Sequence, residues 1–362
     1  MAEMGFKAYR FSISWSRILP EGVGRINPLG IAHYHSVIDE CLKYGIEPIV
    51  TIFHFDMPTK LDEKGSWGNR ASIHWFLNYA KILFEQYGKK VKYWLTINEQ
   101  NVLTFSGQKI GTSHIPENCI NTMKEIYQQN HHMLLAQAKV MELCHYILPN
   151  AKIGPAPNIA MIYPASSDPL DMIAAQNCSA IRNWLYLDAV VYGVYNHIAW
   201  SFLEEKDACP DIKDGDMEIL KNARPDFIGF NYYTSMTVTH DNPALEGKYE
   251  DGDQQSMKRE KGVFCKTPNK HLMKTDFGWE IDPIGFWGTI REIYSRYHLP
   301  LLVTENGLGA YDKLTQDGKV HDQYRINYLK QHIRMMQNAI TENVGILGYC
   351  PWSAIDLIST HE

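Results

Sequence analysis

Leu95-Thr96-Ile97-Asn98-Glu99-Gln100-Asn101 and Leu301-Leu302-Val303-Thr304-Glu305-Asn306-Gly307 are apolar runs that each end at a glutamate. With five similar runs they make seven strand candidates, at residues 7–15, 47–55, 93–99, 152–158, 225–233, 300–306 and 345–353. The intervals between them carry helical spacing. Ile31, Tyr34, Ile38, Cys41 and Leu42 precede Gly45; Ile73, Phe76, Leu77, Ala80, Leu83 and Tyr87 precede Gly88; Ile326, Leu329, Ile333, Met336 and Ile340 follow the same rule. Alternation of this kind predicts parallel strands joined by crossover helices.

An open doubly wound sheet and a closed barrel share that alternation, and the strand ends separate them. Six of the seven runs finish in residues a buried strand rarely carries: His54, Asn98 and Glu99, Asn158, Asn231 and Tyr233, Glu305 and Asn306, and Trp352. In a barrel these ends converge on one mouth. No glycine-rich phosphate loop opens a helix, which argues against a dinucleotide-binding sheet. The expected fold is therefore α/β, a (β/α)8 TIM barrel, with residues 1–362 as one catalytic domain. Residues 241–277, polar and broken by Pro243, Gly247, Gly252, Gly262 and Pro268, read as one long rim loop.

The composition narrows the partners. The 362 residues are 45% hydrophobic, enough for a sizeable core, and the net charge of -6 disfavours nucleic acid and anionic membranes. A small molecule is the expected partner, and oligomeric state is not legible. Seven scattered cysteines do not form a disulfide framework, and Met1-Ala2-Glu3 lacks the basic start of a signal peptide, so the cytoplasm is the expected compartment. No cofactor and no metal are expected. His131-His132 stands in a polar helical stretch with no third ligand nearby, and Asn177-Cys178-Ser179 is a glycosylation sequon of little meaning without secretion.

Two glutamates at strand ends suit glycosidic cleavage. One carboxylic acid protonates the leaving oxygen and a second carboxylate faces the anomeric carbon, at roughly 5 to 5.5 Å when configuration is retained. At these residues the chain resembles glycoside hydrolase family 1, the β-glucosidase and 6-phospho-β-glucosidase family. Its acid/base motif matches Thr96-Ile97-Asn98-Glu99 and its nucleophile motif matches Thr304-Glu305-Asn306-Gly307. The resemblance extends along the chain, including residues 9–20 and His54-Phe55-Asp56-Met57-Pro58.

The resemblance implies a retaining β-glycosidase with Glu305 as nucleophile and Glu99 as acid/base. It implies that Arg10 keeps the nucleophile ionised and Tyr233 donates to it. Asn98, His54 and Asn231 would bind the sugar, and Trp352 would stack on its face, although a core role for Trp352 fits the sequence equally well. Family members acting on plain glucosides carry a glutamate for the 4- and 6-hydroxyls where this chain has Ser359. Loss of that carboxylate removes repulsion against a 6-phosphate, so a 6-phospho-β-glucoside is the expected substrate. The Asn98-Glu99-Gln100-Asn101 run, where β-glucosidases commonly have Asn-Glu-Pro, leans the same way. A β-glucosidase on unphosphorylated sugar and a catalytically silent sugar-binding barrel remain as alternatives.

Against an eight-stranded barrel, the first strand and the final helix are expected to be missing from residues 1–362. Unpaired edges at residues 7–15 and 345–353 would then make this chain alone poorly soluble, marginally stable and nearly inactive.

Overall fold

Asn27 opens the first long helix, Pro28–Lys43, by accepting from the Leu29 amide at 3.1 Å, with Pro28 in the first turn where its missing N–H is harmless. Gly45 ends the segment at φ 68°, a left-handed conformation that suits glycine. Gly88 follows helix Ser72–Tyr87 for another reason. Its φ is -61°, and a Cβ there would lie 2.3 Å from Leu148 Cδ2, so close packing explains the glycine.

The computed structural model describes residues 1–106, 114–242 and 255–355. They fall into two compact units, one of Met1–Asn158 with Ala180–Gly229 and one of Ile159–Ser179 with Phe230–Glu362. In the first, β1 (Ala8–Ser12), β2 (Glu47–Phe53), β3 (Tyr93–Asn98) and β4 (Lys152–Ala156) form a parallel sheet in chain order. Its core is aromatic. Trp15 stacks on Tyr79 with centroids 4.8 Å apart, Phe53 and Phe76 meet Trp67 edge-on, and Trp15 Nε1 donates to Gly22 O at 2.9 Å. Truncating a ring this deeply buried costs about 3–5 kcal/mol.

Most of two further sheets falls in the second unit. In one, β11 (Ile346–Pro351), β10 (Leu301–Asn306) and β6 (Ile228–Tyr232) are neighbours in that order. The seven expected strands are thus all present. Among the described strands, β1 pairs only with β2 and β11 only with β10.

The other sheet corrects the reading of residues 241–277 as one loop. β5 (Ile162–Pro164), β7 (Met236–Thr239), β9 (Phe264–Thr267) and β8 (Arg259–Glu260) line up side by side, with β8 and β9 antiparallel around Gly262 at φ 81°. Two-residue β8 is too short to show a period. In β9 the buried Lys266, whose Nζ donates to Ser256 at 2.7 Å, disguises the apolar pattern. Residues 243–254 of that interval lie outside the described residues.

Helix Gln323–Thr341 is present, but a different face is buried. Ile326, Ile333 and Ile340 are exposed, while Tyr328, His332 and Ala339 face inward. Tyr328 and His332 stack at 3.9 Å, and the His332 ring meets Tyr232 and Phe286. A tyrosine and a histidine can fill a core through their rings, with His332 Nδ1 bonded to Tyr328 O at 2.8 Å, which a count of aliphatic residues does not register.

Candidate active site

β3 carries Glu99 just past its last residue. A bulge in its pairing with β4 falls between Leu95 and Asn98, and the Glu99 backbone turns into the left-handed region at φ 45° before helix Gln100–Ser106 begins. For a residue with a Cβ that conformation costs about 1–2 kcal/mol, and neighbours must hold it. The Glu99 N–H donates to Ala156 O at 2.8 Å and its carbonyl accepts from Leu103 N at 3.1 Å. The carboxylate is buried at 5% exposure, and Oε1 accepts from Asn158 Nδ2 at 2.8 Å.

A frame of amides surrounds this turn. Thr96 Oγ1 donates to Gln137 Oε1 at 2.9 Å, Gln137 Nε2 donates to Gln100 Oε1, and Gln100 Nε2 donates to Asn130 Oδ1 at 2.7 Å. All four side chains are buried, and each bond to an otherwise orphaned polar group avoids a desolvation penalty of about 1–3 kcal/mol.

Beside Glu99, Asn98 Oδ1 accepts from Arg10 Nη2 at 2.7 Å, and Arg10 Nε donates to Thr51 Oγ1 at 3.0 Å. A guanidinium only donates, so the Asn98 oxygen must face it and the amide N–H2 must point away. That group lies 3.2 Å from His54 Nε2, which is therefore the accepting nitrogen. Asp56 holds the same loop, accepting from Trp15 N at 2.8 Å and from His54 N at 3.3 Å. Burial pushes its carboxyl up to about 6 despite those bonds.

In the second unit, Glu305 lies within β10, every residue of which is buried. Tyr233 donates its phenol to Glu305 Oε2 at 2.5 Å, a short bond typical of a hydroxyl facing a carboxylate. The flanking residues are tied down. Thr304 donates to Asn231 Oδ1 at 2.6 Å, and Asn306 donates to Tyr232 O at 2.7 Å and accepts from Tyr349 at 2.6 Å. Gly307 has a steric reason: a Cβ there would sit 2.0 Å from Trp352 O. Trp352 itself is 42% exposed, which removes it from the core.

Arg10, His54, Asn98 and Glu99 thus gather in the first unit, and Asn231, Tyr233, Glu305 and Trp352 in the second. Ser359 lies outside the described residues. The stretch around His131-His132, read as polar, is buried. His131 pairs with Tyr195 at 2.7 Å and Asp216 at 3.0 Å, and His132 Nδ1 meets Trp67 O at 2.8 Å. Among the described residues no group of three or more His, Cys, Asp or Glu is placed to hold a metal. Sequence reasoning missed Arg182 and Gln137 because each is one polar residue in a helical run, with no motif around it.

The profile of glycosyl hydrolase family 1 matches residues 1–362. Aryl-phospho-beta-D-glucosidase BglC of Bacillus subtilis is 42% identical over 99% of this chain and 76% of that protein. A 6-phospho-beta-glucosidase of Dickeya chrysanthemi is 39% identical over 99% of this chain and 74% of its own length. The solved family 1 β-glucosidase from Thermotoga maritima superposes with a TM-score of 0.85 at 35% identity, covering 97% of this chain and 74% of that one. The chain belongs to glycosyl hydrolase family 1: it is a glycosidase of the (β/α)8-barrel fold, acting on a small-molecule glycoside.

Proposed function

We propose that residues 1–362 act as one catalytic domain that hydrolyses 6-phospho-β-glucosides with retention of configuration. The carrying observation is that each of two strand-end glutamates is buried and aimed by a directed donor, Tyr233 for Glu305 and Asn158 for Glu99. In the first step Glu305 attacks the anomeric carbon, the bond to the aglycone oxygen breaks, and protonated Glu99 gives that oxygen its proton. In the second, Glu99 takes a proton from water, the water oxygen bonds to the anomeric carbon, and the ester to Glu305 breaks.

Arg10, through its bond to Asn98, holds the side chain assigned to the sugar 2-hydroxyl. His54 and Asn231 are assigned to the sugar, and the exposed Trp352 ring to its apolar face. The phosphate rests on Ser359 in the sequence and on the names of the relatives from Bacillus subtilis and Dickeya chrysanthemi. The Thermotoga maritima likeness favours the second reading, a β-glucosidase on plain sugar. We also place the chain in the cytoplasm: its cysteines are free thiols and no described helix is long and apolar enough to cross a membrane.

The test compares kcat/KM for p-nitrophenyl β-glucoside with and without a 6-phosphate. A preference above about tenfold for the phosphorylated substrate is expected. Equal or better use of the plain glucoside refutes the phosphate, and an inverted product refutes the two glutamate roles.

A further inference from the structure

Arg182 lies in a widened helical turn, Ala180–Trp184, that leads into helix Leu185–Tyr192. Turns of this kind are frequent at functional sites. The side chain is completely buried. Nη2 donates to Asn158 Oδ1 at 2.7 Å, and Nη1 donates to Asn158 O and to Asn183 Oδ1, both at 3.0 Å. The guanidinium also sits over the Phe105 ring, 5.2 Å from its centroid.

Asn158 is clamped from a second side by Asn101, two residues after Glu99. Its N–H donates to Asn101 Oδ1 at 3.0 Å, and Asn101 Nδ2 donates to the carbonyls of Asn158 and Arg182. Arg182 has no acceptor atom, so the Asn158 oxygen must face it and the Asn158 N–H2 must face Glu99. Flipping that amide would set N–H2 against guanidinium and oxygen against carboxylate, two repulsions between buried groups.

We propose that Arg182 is a positioning residue for Glu99, acting through Asn158. The polarity it imposes makes Glu99 Oε1 an acceptor at every stage, so that the proton passed to the leaving oxygen is carried on Oε2. This rests on Glu99 being the acid/base. Arg182 reaches the carboxyl from another part of the chain, and its effect falls on proton transfer alone.

The experiment measures kcat/KM for aryl β-glycosides whose leaving phenols range from strongly to weakly acidic. For Arg182→Met a loss above about 10²-fold is expected with the weakly acidic phenol and below about fivefold with the most acidic, because only the former needs the proton. Arg182→Gln, which keeps one donor toward Asn158, should recover part of the difference. A loss equal for all phenols overturns the proposal, since general misfolding predicts that result.

If Arg182→Met lacks a cooperative unfolding transition, Asn158→Ala replaces it and must show the same leaving-group dependence. In the Asn158→Ala background, Arg182→Gln should add less than about twofold. Multiplying losses would show that Arg182 does not act through Asn158 and would overturn the idea. Glu99→Ala separates the two readings. If it shows no leaving-group dependence, the acid/base assignment fails; if it alone shows it, only the role of Arg182 fails.

Discussion

The two glutamates occupy similar places in the sequence and are held in opposite ways. Glu99 stands beyond its strand on a left-handed backbone, and amides aim it: Asn158 directly, then Gln100, Gln137 and Asn130 around the turn. Glu305 stays inside strand β10, whose register against β11 shifts between Val303 and Asn306, and phenols line its neighbourhood: Tyr233 on its carboxylate, and Tyr349 and Tyr328 on Asn306. In the proposed mechanism Glu99 gives and takes a proton, and an amide N–H on Oε1 can donate whether or not Oε2 carries that proton. Glu305 is the proposed nucleophile, and its place within a strand sets its line of attack.

The largest effect would break or uphold this division of labour. Glu305→Ala should lower turnover by roughly five orders of magnitude, and azide should restore no retained product. Glu99→Ala should still be glycosylated by substrates with acidic leaving groups, and azide should trap the intermediate as a β-glycosyl azide. Product analysis by NMR reads both outcomes. If the two variants behave alike, the contrast drawn between the sites is wrong.

A smaller effect sharpens the phenol side. Tyr233→Phe removes one donor from Glu305 and should cost between about 10² and 10³ in kcat/KM, by the same factor for every leaving group. A dependence on the phenol would assign Tyr233 to proton transfer. Its thermal transition should move little, because the ring and its edge-on contact with Trp279 remain.

The smallest effect concerns acid stability, where amides do not titrate but imidazole does. His332 Nδ1 holds Tyr328 O at 2.8 Å, and burial brings its pKa down to about 4 from the ordinary 6.5. The unfolded chain therefore binds more protons between those values. The stability of the folded form is complete above pH 6.5 and falls by up to about 3 kcal/mol as pH drops through 4. Asp56, pushed up to about 6, acts with the opposite sign and gains stability as pH falls from 6 toward 3.8. Thermal melts at pH 7 and pH 4.5 should show a smaller acid loss in His332→Gln than in the parent, and an unchanged loss would remove His332 from the account.

Much of the fold was legible because period and strand ends are local properties. All seven barrel strands appear where apolar runs predict them, and residues 95–101 and 301–307 lead to both glutamates. The misreadings share one cause. The inward face of Gln323–Thr341, the reason for Gly88 and the pair β8–β9 within residues 241–277 depend on which polar atoms find partners and which backbones approach closely.

Alternation of strand and helix, the family motifs and the two candidate carboxylates were legible in the sequence alone, since each is carried by residues adjacent in the chain. The tertiary structure decided how those carboxylates are aimed. Tyr233 is 72 residues from Glu305, Asn158 is 59 residues from Glu99, and Arg182 is a further 24 from Asn158. Hydrogen-bond direction depends on distances of about 3 Å between side chains far apart in the chain, and no local pattern encodes such distances.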